Sequence, residues 1–105
     1  MTLKIESAGR TLHLLGELDV ATETMLNEAL QPLVTDGGTV TIDLSGLDFI
    51  DSSGVRALVR GAGALGNGGR LELADPAPAV KRVLDLMRLD TIPNVEVTHT
   101  GDPSP

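Results

Sequence analysis

At 105 residues the chain has room for one hydrophobic core and none for a second. Its formal net charge of -7 repels phosphate backbones and anionic lipid surfaces, and an aromatic content of 1%, all of it Phe49, argues against stacking on bases. Neither nucleic acid nor membrane is therefore expected as a partner, and the absence of cysteine removes disulfides and thiolate metal sites.

In chain order, Leu3 and Ile5 alternate with Lys4 and Glu6, and after Ser7-Ala8-Gly9 the alternation resumes with Leu12 and Leu14, which predicts a hairpin. From Val20 to Val34 the period changes. Ala21, Met25, Ala29 and Leu33 recur every four residues beside Leu26 and Leu30, the apolar stripe of a helix that Thr35-Asp36-Gly37-Gly38 ends. Val40, Ile42 and Leu44 alternate with Thr39, Thr41 and Asp43 in a third strand. Val55, Leu58, Val59, Ala62 and Leu65 follow at helical spacing, with Arg56 and Arg60 on the other, solvated face. Leu71 and Leu73 mark a fourth strand. Val80, Val83, Leu84 and Met87 mark a third helix entered through Pro76 and Pro78, and Val95 and Val97 a last short strand. Met25 and Met87 are read as core. The tail, 101–105, has little to bury and is expected to be flexible.

The order β-β-α-β-α-β-α-β predicts an α/β domain with a mixed sheet: an N-terminal hairpin, then parallel strands joined by right-handed crossovers. The alternation in TVTIDL and RLELAD leaves one sheet face polar, so the helices should lie mostly on the other. In such sheets functional groups gather where strands end and helices begin. GELD, residues 16–19, and LDFIDSSG, residues 47–54, both meet that condition, which makes Asp19, Asp48, Asp51, Ser52 and Ser53 neighbours on one edge.

Asp51, Ser52 and Ser53 are all favoured helix caps, worth roughly 1 kcal/mol. A helix mouth also accommodates phosphate, through its dipole and outward N–H groups. A cap and a modified serine are therefore compatible. Other signals are weaker. GAGALG, residues 61–66, has the G-x-G-x-x-G spacing but follows a helix and precedes a strand, the reverse of a dinucleotide site, so its glycines are read as a helix terminus. A receiver domain with an aspartyl phosphate needs a lysine near a later strand end, and the only lysines are Lys4 and Lys81. His13 and His99 each stand alone and no G-x-S-x-G is present, so no enzyme, cofactor or metal is implied. The opening MTLKIESAGR has no apolar signal core, and nowhere do about 18 apolar residues run together; a cytoplasmic protein is expected.

GELD, the block IDLSGLDFIDSSG and PAVKRVLDL, in this order, resemble the STAS family and within it the bacterial anti-sigma factor antagonists, over residues 1–100. The resemblance implies partner switching. The unphosphorylated antagonist binds an anti-sigma factor that is also a serine kinase and frees a sigma factor; phosphorylation reverses this, and a phosphoserine phosphatase resets it. It also implies Ser52 as acceptor, Asp19, Asp51 and Gly54 as its surroundings, and Ser53 as the unmodified neighbour within the partner-binding edge. Arg56 joins that edge by position, since its helix begins at the switch and its alternative to a solvated role is contact with an acidic patch on the partner. An alternative implied by the same family is a STAS interaction subunit of another assembly, a stress-signalling scaffold or a lipid-transport ATPase complex, without reversible phosphorylation.

Overall fold

The two alternating runs at the start form the expected hairpin in the computed structural model, which describes residues 2–66 and 68–99. β1 (Leu3–Ala8) pairs antiparallel with β2 (Thr11–Leu18), bringing Ile5 opposite Leu14. α1 (Glu23–Thr35), β3 (Thr39–Ile50), α2 (Ser52–Leu65), β4 (Arg70–Ala74), α3 (Pro78–Leu86), a 3-10 turn (Leu89–Thr91) and β5 (Val95–Thr98) follow. The expected tail, 101–105, lies outside the described residues.

The strands stand in the sheet in chain order, β1-β2-β3-β4-β5, and every pair after the hairpin is parallel. This order explains the layering. Parallel crossovers are right-handed, and here each one steps to the next strand in the same direction, so all three helices are delivered to one face. One buried cluster accordingly joins Leu12, Leu14, Ile42, Leu44, Leu71 and Leu73 of the sheet to Leu26, Leu58 and Leu84 of the three helices. Burying each such leucine stabilises by about 1.5–3 kcal/mol, so aliphatic packing supplies the core without aromatic side chains. The opposite sheet face carries Thr41, Asp43 and Glu72 and remains partly exposed.

Four details differ from the sequence reading. β3 is twelve residues long and continues to Ile50, whereas alternation is legible only to Leu44. Two residues of β2, His13 to Leu15, span three of β3, Asp43 to Gly46, and a second irregularity lies between Gly16 and Glu17. Each inserts an extra residue, so the inward positions become Leu44, Leu47 and Ile50, three apart, and the period of two is lost. Second, α1 begins at Glu23 and not at Val20, and its buried line is Leu26, Leu30 and Val34. Met25 falls outside that line and is exposed, as is Met87, which ends α3; neither is core. Third, α3 ends at Leu86, one residue before Met87, and the chain turns at Arg88, whose φ is 61°. Fourth, of the GAGALG glycines, Gly61 and Gly63 sit inside α2 and only Gly66 caps it.

His13 does not stand alone either. Its Nδ1 lies 2.7 Å from Asp43 Oδ2 across β2 and β3 on the open sheet face. Burial by itself would raise the Asp43 pKa, but the Ser45 backbone N–H, the His13 ring and the Ser45 hydroxyl outweigh it and hold the carboxyl below its usual range. A carboxyl whose pKa is lower folded than unfolded contributes stability above its unfolded pKa, near 4, and loses it as pH falls through the folded value. Asp43→Asn should therefore lower the urea midpoint at pH 7, with the gap to wild type closing toward pH 3. A gap that stays constant over that range would show that ionisation of Asp43 contributes nothing.

Candidate functional site

β2 and β3 end together. Leu18 pairs with Ile50, and the Asp51 N–H donates to the Leu18 carbonyl at 3.2 Å, so Asp19 and Asp51 leave the same sheet edge side by side. Each opens a helix in a different way.

Asp51 is the N-cap of α2. Its backbone is extended, and its Oδ1 accepts from the Gly54 N–H at 3.1 Å while its carbonyl accepts from Val55 N at 3.0 Å. The cap therefore falls on the aspartate and leaves both serines within the first turn. Ser52, the first helical residue, is exposed to solvent. Ser53 is only 7% exposed, and its Oγ receives a long 3.4 Å contact from Arg56 Nη2, one turn along the helix. Arg56 itself is exposed, while Arg60 pairs with Glu23 of α1 at 3.1 Å. Gly54 faces inward against the end of β2. A Cβ built there would lie 2.8 Å from Leu18 Cγ, from the Leu18 carbonyl oxygen and from Ile50 Cγ1, so no larger residue fits without displacing α2.

Asp19 behaves differently from a surface carboxylate. It is 6% exposed, and its Oδ1 accepts from Ala21 N at 3.0 Å, Thr22 N at 3.1 Å and the Thr22 hydroxyl at 3.1 Å. That hydroxyl is also 2.8 Å from the Glu17 carbonyl and accepts from Asp19 N at 3.0 Å. The Asp19 to Thr22 loop is thus a closed hydrogen-bonded turn that sets where α1 begins. Thr22 is the residue that sequence reading missed; the D-x-x-T spacing after a strand end was the available signal. Gly16, at φ 108° and packed against the Thr2 carbonyl, permits the irregularity just before this turn. Asp48 is exposed near the end of β3.

The edge thus presents an exposed hydroxyl, Ser52, at the positive end of a fourteen-residue helix, with acidic groups on the strands leading to it. Among the described residues no group of three or more histidines and carboxylates could hold a metal ion. No helix among them is long and apolar enough to cross a membrane. What this arrangement can do chemically is accept a phosphoryl group at Ser52, and bind a protein along the edge.

Comparison with known proteins places these features in context. Residues 1–96 match the family model described as Mlab, STAS domain. The anti-sigma-F factor antagonist RsfB of Mycobacterium tuberculosis is 32% identical over 76 residues, 71% of this chain and 62% of that protein, so the match spans less than two thirds of the relative. An anti-sigma factor antagonist from Mycobacterium paratuberculosis superposes with TM-score 0.75 at 26% identity, covering 90% of this chain and 84% of that one. The antagonist SpoIIAA of Bacillus in its unphosphorylated form superposes with TM-score 0.70 at 25% identity, covering 91% and 87%. With the five-stranded mixed sheet, the three helices on one face and the family match over residues 1–96, the chain belongs to the STAS domain family.

Proposed function

We propose that the chain is an anti-sigma factor antagonist that binds an anti-sigma factor with serine kinase activity, and that Ser52 is its phosphoacceptor. The observation that carries this reading is the contrast between the two serines: Ser52 is open to a kinase at the helix mouth, whereas Ser53 is buried beneath Arg56. The names of RsfB and the Mycobacterium paratuberculosis protein support the antagonist role, and SpoIIAA has also been solved phosphorylated.

Kinase transfer would form the Ser52 Oγ–P bond as the γ-phosphoryl of ATP leaves ADP, with the hydroxyl proton passing to a base on the kinase. The product adds roughly -1.5 to -2 charge at pH 7. At the first position of α2 the fold tolerates that charge, because the helix dipole and first-turn N–H groups favour an anion. A docked partner would bury it beside Asp48 and Asp51, and the desolvation cost of that added charge would release the partner. Arg56, Asp51 and Gly54 then serve as contact, cap and spacer along the same edge, and Asp19 shapes the neighbouring turn. A phosphoserine phosphatase restores the binding form.

Incubation with the anti-sigma factor kinases of the source organism and ATP, followed by peptide mass mapping, should place one phosphate on Ser52. Phosphate on another residue, or none, would overturn the assignment. The second reading is an interaction subunit of a lipid-transport ATPase complex or another scaffold without reversible phosphorylation, the alternative implied by membership of the STAS family. Recovery of a membrane ATPase, and no small kinase, with the tagged chain would decide for it.

A further inference from the structure

The single aromatic side chain of the protein is not in the core. Phe49 is 43% exposed, and it alternates with buried Ile50 opposite Glu17, which puts it on the open, helix-free face of the sheet. Leu15 is 38% exposed on the same face, its side chain lying over Gly46 of β3. Val20, 69% exposed, lies just past the Leu18–Ile50 pair that leads to Ser52. Along the β2–β3 pair Leu15, Phe49 and Val20 thus follow one another toward the functional edge as a strip of exposed apolar positions. Exposed aromatic groups in partly dry surroundings are the usual anchors of protein interfaces.

We infer that the partner's footprint continues over the sheet edge onto this open face, with Phe49 inserted into an apolar pocket of a basic-rimmed partner. The inference rests on the antagonist reading and adds to it a surface on the far side of the sheet from the helices. Phe49 is flanked by Glu17 opposite it and Asp48 before it; Lys4 stands beside Leu15 at the far end of the strip but is paired with Glu6 at 3.4 Å, and the whole chain carries -7. A second copy of the chain docking by a two-fold axis would oppose these carboxylates with their own kind. A partner with lysine or arginine around an apolar pocket is complementary in both respects.

The test compares variants of the full chain in titrations against the purified anti-sigma factor kinase that phosphorylates it. Phe49→Ala should weaken binding about tenfold to 100-fold, Phe49→Leu less, and Glu17→Lys should slow association and reduce its salt dependence. Leu86→Ala, at a still more exposed apolar site on the last residue of α3 and away from the strip, should have no effect. Each variant is first checked for an unchanged melting temperature by circular dichroism. If Ser52→Asp abolishes binding while Phe49→Ala leaves it within twofold, the footprint stops at the edge and this inference fails alone. If the wild-type chain binds no such kinase, the antagonist reading fails and takes the inference with it. Concentration-dependent dimerisation that Phe49→Ala removes would also overturn it, by assigning the strip to a second copy.

Discussion

Replacement of Gly54 by alanine should lower the stability of the domain by on the order of 2 kcal/mol, a fall of about 10 °C in melting temperature for a chain of this size. Two effects oppose each other. Alanine is a better helix former than glycine by about 1 kcal/mol in a helix interior, which would raise stability. Against it stand three contacts at 2.8 Å, where about 3.5–4.0 Å is comfortable between carbon atoms. Two of the three are side-chain atoms of Leu18 and Ile50, which are buried and cannot swing away, and the third is the backbone carbonyl of Leu18. Relief requires α2 to move off β2. That movement would stretch the hydrogen bond from Asp51 N to the Leu18 carbonyl, which joins the two halves of the functional edge. Steric cost should therefore win, and Ser52 should be displaced with the helix. Since the chain has no tryptophan or tyrosine, circular dichroism is the suitable measurement. An unchanged or higher melting temperature would mean that the close approach of α2 to β2 is not required.

Ser52→Asp should fold with unchanged or slightly higher stability, yet lose at least about 100-fold in affinity for the anti-sigma factor kinase, a cost consistent with burying an unpaired carboxylate at a partly desolvated interface. Stability is preserved because a carboxylate in the first turn of a helix is favourable by about 0.3–1 kcal/mol, and because Ser52 contributes no cap bond that the substitution removes. Ser52→Ala should bind like wild type and resist phosphorylation. Ser53→Ala separates the two serines: it should still be phosphorylated at Ser52. Phosphate appearing on Ser53 in the Ser52→Ala protein would transfer the acceptor role to the buried residue. A Ser52→Asp protein that binds as well as wild type would remove charge as the switch.

Much of this architecture is legible along the chain. Leu12 and Leu14, and Val40, Ile42 and Leu44, alternating with polar residues, mark strands with one wet face, and the helical spacing of Val55, Leu58, Ala62 and Leu65 marks α2 as a helix packed on one side. Those patterns survive because burial on one face selects side chains at the period of the element itself. Where the period breaks, reading fails. The two extra residues in β3 break the period over its last third, so alternation does not mark LDFI as strand although it is one. The start of α1 is similarly obscured, because Val20 and Ala21 continue the apolar pattern while the Asp19 to Thr22 hydrogen bonds hold them in a turn. Met25 and Met87 show the same limit: being apolar does not say on which side of a helix a residue lands once the boundaries shift.

At the edge the division is sharper. Residue types alone determined that an acidic and serine-rich segment would open a helix, and that it would share an edge with GELD, because parallel strands end on the same side. They could not say which residue caps the helix or which serine faces solvent. Those outcomes depend on how far α2 sinks toward β2, which is set by the absence of a Cβ at Gly54 and by the register that pairs Leu18 with Ile50. Packing at that contact turns Ser53 inward and leaves Ser52 outside. The exposure of Phe49 was decided the same way, since two irregularities in the pairing of β2 and β3 set its phase and place the only aromatic residue on the open face.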